Sequence, residues 1–236
     1  MPSRLRDAGP PRRARPRRTR QNRRVTSWTL VLPIKGGTLA KSRLGARPDV
    51  AAAIALDCLD AVLACPSVDR CLVVTADRPT RAAARAVGAR VVTESSPGAG
   101  LVAAVADGLS AVRACAPWSA GPTGVLLADL PALRPGDLVT ALTAVHAALA
   151  AGRGAMCAVP DADGAGTVLL AAATPDALDP AFGSDSLAEH VRRGAVRLDL
   201  DLPRLRRDVD TPGDLDAALA LGVGPRTASA VRDRTA

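Results

Sequence analysis

From Trp28 onward, short and mainly apolar runs alternate with longer stretches in which apolar residues recur every three or four positions. WTLVLPIK, ending near Pro33, is a run of the first kind, as are RCLVVTAD, ARVVTE and TGVLLADL. Such runs predict buried strands. DVAAAIALDCLDAVLAC is of the second kind, with Val50, Ile54, Leu56, Leu59, Val62 and Leu63 at helical spacing. PTRAAARAVG closes on Gly88, GAGLVAAVADGLSAVRAC is entered through glycines, and RPGDLVTALTAVHAALAAG has Pro135 near its start and Gly152 after its end. These are helix start and stop signals. Strand and helix thus alternate four times, which predicts an α/β three-layer sandwich around a mostly parallel sheet, with right-handed crossovers and helices on both faces.

Past residue 153 the alternation loosens. GAMCAVPDADGAGTVLLAAAT predicts two strands around a glycine-rich turn, the antiparallel part of a mixed sheet. SDSLAEHVRRG predicts a short helix with Ser184 or Asp185 as its cap. AVRLDLDL alternates as a strand does, and DVDTPGDLDAALALGVG predicts a turn and a last helix.

Composition changes this picture in two places. The 236 residues suit one α/β domain with an extension, and aromatic residues make up only 1%, so Ala, Val and Leu must build the core. The net charge of +8 is unevenly spread: residues 1–24 hold ten arginines against one acid, Asp7, which leaves the other 212 residues at −1. Residues 1–26 therefore read as a disordered Arg/Pro-rich tail and 27–236 as the folded domain. A near-neutral body is not one that wraps nucleic acid. The five cysteines form no C-x-x-C pair, and no run is long enough for a membrane span, so a cytoplasmic protein with reduced thiols is expected. They are expected to fill gaps in the core, and His190 to be a surface or helix-end residue.

In open parallel sheets, ligands bind at the carboxyl ends of the strands. After the first strand comes KGGTLAKSR, which holds Lys35 and Lys41, the only lysines in a chain with 29 arginines. Two compact ammonium groups on a glycine-containing loop suit a polyphosphate cradle, although neither G-x-x-x-x-G-K-[ST] nor G-x-G-x-x-G is present. After the third strand, TESSPGAG offers a second loop that could approach a base or ribose. Asp129 closes the fourth run, where a buried strand ends and a carboxylate is poorly placed for packing. A carboxylate at that edge, beside a phosphate loop, suits Mg²⁺, which takes one or two carboxylates plus phosphate oxygens. The second carboxylate would be Asp208 or Asp210 in DVDTP.

LPIKGGTLAKSRL, LLADLPALRPGDL, DGAGTVLL, FGSDSLAEHVRRGAV and DVDTPGDL, in this order, resemble the guanylyltransferases of coenzyme F-420 biosynthesis, which act on phosphoenolpyruvate or 2-phospho-L-lactate. The likeness runs from about Trp28 to Val231, including LGVGPRTASAV. DLPAL or DTPxDL alone occurs in many nucleotidyltransferases, but five motifs in order, with FG-x-x-S and G-x-G-T, are specific. The resemblance implies a GT-A-like nucleotidyltransferase fold. It implies that GTP and phosphoenolpyruvate, with Mg²⁺, give enolpyruvoyl-2-diphospho-5′-guanosine and pyrophosphate, the product passing to the next pathway enzyme.

By motif position, Asp129 and Asp208 would hold the metal, and Thr167, Gly183 and Ser186 the phosphoenolpyruvate. Pro33, Lys35, Gly36, Lys41 and Arg43 would line the nucleotide phosphates, with Glu94, Gly98 and Gly100 toward base or ribose. Catalysis would rest on Lys35, Lys41, Arg43 and Asp129. Two positions depart from the family's habit: Val102 stands where Asn is frequent, and Gly36 where the residue is often bulkier or charged. Other readings are 2-phospho-L-lactate as the acid, a sister nucleotidyltransferase, a silent nucleotide-binding protein, and a nucleic-acid binder acting through the arginine tail.

Overall fold

The alternating strands pair into one seven-stranded sheet ordered β3-β2-β1-β4-β6-β5-β7 in a computed structural model that describes residues 27–35 and 48–233. The strands are β1 (Trp28–Pro33), β2 (Val68–Val74), β3 (Arg90–Val92), β4 (Thr123–Leu126), β5 (Met156–Pro160), β6 (Thr167–Ala172) and β7 (Ala195–Arg197). The expected tail lies outside the described residues, as do Gly36, Lys41 and Arg43. β1, β2, β3 and β4 run parallel, β6 runs antiparallel to both β4 and β5, and β7 is parallel to β5. The mixed sheet expected from the glycine-rich turn is therefore present, and β6 is the one strand that runs against the rest.

The central strands are apolar throughout because both faces are covered. Trp28, Leu30 and Leu32 of β1 face α1 (Pro48–Leu63) and α5 (Pro135–Ala150), packing with Leu59 and Leu142. Val31 points the other way, to α3 (Leu101–Ala114), with Val105 and Leu109. α2 (Arg78–Ala86) and the four-residue α4 (Ala116–Ser119) complete the first half of the chain. Four buried thiols, Cys58, Cys65, Cys71 and Cys157, sit within this core, as expected. No helix among the described residues is long and apolar enough to cross a membrane.

Helix ends follow local chemistry. The letters Pro-Gly-Asp-Leu open both α5 and α8 (Pro212–Leu221), and in each the Asp accepts from the backbone N–H three residues earlier: Asp137 from Arg134 at 3.1 Å, Asp214 from Thr211 at 2.9 Å. In α8 the Thr211 hydroxyl accepts in return from the Asp214 N–H at 3.2 Å, which closes a capping box. Half of the DVDTPGDL motif thus serves to start a helix.

Three expectations need correction. α6 (Ser186–Arg192) has Asp185 at its cap position, one of the two expected residues, but in a left-handed conformation, φ 54°, and without a side-chain cap hydrogen bond. The alternating AVRLDLDL forms only a three-residue strand. Its Leu198 N–H still reaches Ala158 O at 2.9 Å, but Leu200 N–H then bonds Leu198 O (3.1 Å) and Leu202 N–H bonds Leu200 O (2.9 Å). These i→i+2 closures curl the backbone off the sheet, while Leu198, Leu200 and Leu202 still face the core. The helix over 212–221 is not the last: the short α7 (Pro203–Arg206) precedes it and α9 (Pro225–Arg232) follows it.

Candidate functional site

β1 and β4 are neighbours, but from β1 the chain goes on to β2 on one flank and from β4 to β5 on the other, which opens a crevice at their carboxyl ends. A cavity of about 440 Å³ occupies it. Pro33, Ile34 and the exposed Lys35 enter from the end of β1, and Leu127 and Asp129 from beyond β4. Because β6 runs backwards, its first residue, Thr167, also arrives at this edge, together with Gly166 and, from the end of β5, Asp161. Phe182, Gly183 and Ser186 also line it, as do Asp208 and Asp210.

The carboxylate side is tied together through the backbone. The Val209 N–H donates to Asp129 O at 3.0 Å, so the segment carrying Asp208 and Asp210 is held against the segment carrying Asp129. Asp208 is half-buried and Asp210 exposed. Burial, followed by the carboxylates of Asp129, Asp210 and Asp161, pushes the Asp208 carboxyl up to about 7. The folded chain therefore keeps a proton on Asp208 that the unfolded chain releases near the ordinary carboxylate range. Stability from this group falls as pH rises from about 4 to about 7. In metal-free buffer, the Tm of Asp208→Asn minus that of the parent should grow by roughly 3–6 °C between pH 5 and pH 8. A difference that stays flat across a scanning-fluorimetry pH series would contradict the crowding.

Crowded oxygen donors of this kind suit a hard divalent cation. Among the described residues, no three His, Cys, Asp or Glu side chains already converge as a closed cage.

Asp161, absent from the sequence expectations, organises the loop that leads into β6. Its carboxylate accepts from the Ala165 N–H at 3.0 Å and the Gly166 N–H at 2.6 Å, while its own carbonyl accepts from Arg206 Nη2 at 2.8 Å. A side chain at Gly166 would collide with the Asp161 carboxylate, so the G-x-G-T element needs glycine there. The Asp placed five residues ahead of that glycine was the signal that could have revealed it. The loop and α6 then lock: Thr167 N–H donates to Ser186 Oγ at 3.1 Å, and Leu187 N–H to Ala165 O at 3.0 Å.

The structure brings Pro33, Lys35, Asp129, Thr167, Gly183, Ser186 and Asp208 to one cavity. Glu94, Gly98 and Gly100 do not line it, although the next residue, Leu101, does. The Glu94 carboxylate instead accepts from the Ala76 N–H at 3.2 Å, joining the ends of β2 and β3 at the same edge. Val102 is 46% exposed at the start of α3. His190 lies in the last turn of α6, the helix-end place expected, but it is wholly buried rather than at the surface, 2.9 Å from Thr167 Oγ1. A helix-end histidine turns inward here because the face it shares with Ser186 and Leu187 covers the sheet.

The chain resembles known proteins at both levels. The family described as the MobA-like NTP transferase domain matches residues 52–199. The phosphoenolpyruvate guanylyltransferase of Streptomyces coelicolor is 49% identical over 209 residues, covering 86% of this chain and 94% of that one. The phosphoenolpyruvate guanylyltransferase of Salinispora arenicola is 49% identical over 207 residues, 85% and 92% of the two chains. Among solved structures, a putative nucleotide-diphospho-sugar transferase from Desulfovibrio desulfuricans superposes with a TM-score of 0.59 at 17% identity, over 89% of this chain and 95% of that one. At that identity the likeness concerns the fold, which is the GT-A-like nucleotidyltransferase fold.

Proposed function

Because the chain belongs to the phosphoenolpyruvate guanylyltransferase family of MobA-like NTP transferases, we propose that it joins GTP and phosphoenolpyruvate into enolpyruvoyl-2-diphospho-5′-guanosine, with release of pyrophosphate, in coenzyme F-420 biosynthesis. The observation that carries this reading is one cavity lined together by the carboxylates of Asp129 and Asp208, by Thr167, Gly183 and Ser186, and by Lys35.

A phosphate oxygen of phosphoenolpyruvate attacks the α-phosphorus of GTP, and the bond from that phosphorus to the bridging oxygen of the β-phosphate breaks. The nucleophile is an anion at neutral pH, so no residue has to remove a proton. Thr167, Ser186 and the backbone at Gly183 hold the phosphate and carboxylate of the acid and orient it. Lys35 neutralises charge gathering on the departing pyrophosphate, a role it would share with Lys41 and Arg43. Asp129 and Asp208 would hold Mg²⁺, which when bound supplies charge neutralisation between two polyanions. The reaction belongs in the cytoplasm, where both substrates are made, and the reactive diphosphate product is handed to the next enzyme of the pathway. Nucleic acid has no part in it, since the body outside residues 1–24 is near neutral.

Purified protein with Mg²⁺ and GTP should release pyrophosphate when phosphoenolpyruvate is added, with the next pathway enzyme and its acceptor present to draw product away. Release only with 2-phospho-L-lactate would keep the reaction type and move the substrate. Silence with both acids, in folded protein, would overturn the reading in favour of a sister enzyme or a silent nucleotide binder.

A further inference from the structure

His190 is one of two histidines in the chain, and its surroundings fix which ring nitrogen carries the proton. The Ala181 N–H lies 2.9 Å from Nε2. A backbone amide only donates, so Nε2 accepts and the proton sits on Nδ1. Nδ1 is 2.9 Å from Thr167 Oγ1, so Nδ1–H donates to that hydroxyl oxygen. Burial, then the Arg193 charge, hold the ring down to about 4, against the opposing pull of Asp179, and it stays neutral at working pH. Phe182 packs edge-on at 5.0 Å between ring centroids and keeps the imidazole in place.

The result is a directed set of hydroxyls. Thr167 Oγ1 receives from His190, and Ser186 Oγ receives from the Thr167 N–H at 3.1 Å. Each oxygen already accepts from the protein, and each still has its own hydrogen to give. Both residues line the cavity. An anion can only accept, so a pocket whose hydroxyls are polarised as donors suits a phosphate or carboxylate. Through Ala181, His190 also ties the Phe182–Gly183 segment to Thr167, joining two walls of the pocket.

We propose that His190 is a positioning residue for the acid substrate: through Thr167 Oγ1 it holds that hydroxyl as a fixed donor to an anionic oxygen of phosphoenolpyruvate. This rests on the functional reading above. The test has two arms on the full chain. In the first, protein labelled with ¹⁵N-histidine should show the His190 proton on Nδ1 at pH 7, with the exposed His146 as internal reference. A proton on Nε2, or a charged ring, would overturn the proposal whatever the substrate.

In the second, His190→Gln keeps an acceptor within reach of Ala181 but loses the donor at the Nδ1 position, whereas His190→Asn keeps that donor. His190→Gln should raise KM for phosphoenolpyruvate about tenfold with kcat and KM for GTP changed less than about twofold, and His190→Asn should lie nearer the parent. His190→Gln combined with Thr167→Val should be no worse than Thr167→Val alone, because the two act as one unit. Unchanged KM for the acid in a folded His190→Gln, or equal losses for acid and GTP, would sink the proposal. A parent that turns over neither acid would sink the functional reading instead, and the nitrogen signals would then decide the polarity by themselves.

Discussion

Asp129→Asn is expected to keep the fold and lose guanylyl transfer by on the order of a thousandfold or more in kcat/KM. The fold should survive because what anchors this segment is its backbone and its neighbours. Asp129 O accepts from the Val209 N–H at 3.0 Å, and Ala128, Leu130 and Ala132 are buried on either side. A carboxamide has the same shape and disturbs none of these. It does remove one of the negative charges that crowd Asp208, and a carboxylate that we assign to the metal. Pyrophosphate release measured beside thermal unfolding separates the two effects. Turnover like that of the parent would end the metal role of Asp129.

The largest effect on stability is expected from Asp57→Ala, a loss of about 3 kcal/mol, or on the order of 10 °C in Tm. Asp57 lies within α1, its side chain 2% exposed. Its carboxylate accepts from the Arg226 N–H at 3.2 Å and the Thr227 N–H at 2.7 Å, two of the amides that the first turn of α9 leaves open. The Arg226 guanidinium stands 3.8 Å away and also pairs with Asp60. One carboxylate therefore caps a helix almost at the other end of the chain. Gly224 lies so near that a Cβ there would strike the same carboxylate, and its N–H donates to Pro131 O at 2.8 Å, two residues from Asp129.

Truncation leaves two amides without their acceptor and loosens α9 from α1, a helix that also lines the cavity through Ala51 and Ile54. Activity at low temperature should fall far less than in Asp129→Asn, and Asp57→Asn, which keeps an oxygen acceptor, should recover part of the loss. Thermal unfolding followed by circular dichroism checks this. An unchanged Tm would show that α9 is held by its apolar side alone, through Val231 against Val50 and Ile54.

The residues that sequence determined by itself are those whose role is set by near neighbours. Continuous apolar runs marked β1, β2 and β4 because a strand buried on both faces needs apolar residues on both. Pro135 and Gly152 marked the limits of α5 because backbone freedom is a local property. The place of Asp129 at the cavity was legible because a carboxylate at the end of such a run has no packing reason to be there. What only the tertiary structure decided depended on partners far along the chain. The glycine-rich turn announced that β6 runs against β5, but that β6 inserts beside β4, which delivers Thr167 to the crevice, is written in no local pattern.

The same holds for the elements and side chains that the sequence reading misplaced. AVRLDLDL has the period of a strand, but pairing with β5 ends at Arg197 although β5 runs on to Pro160, because the backbone beyond Leu198 closes on itself. α9 has few apolar residues and a cap supplied from 169 residues away, so nothing near it announces a helix. His190 carries no local mark of burial; Ala181, Thr167 and Phe182 make it an interior group. Periodicity tells each side chain which face it takes. What it meets on that face is settled when distant segments pack, and the chemistry of this cavity was decided there.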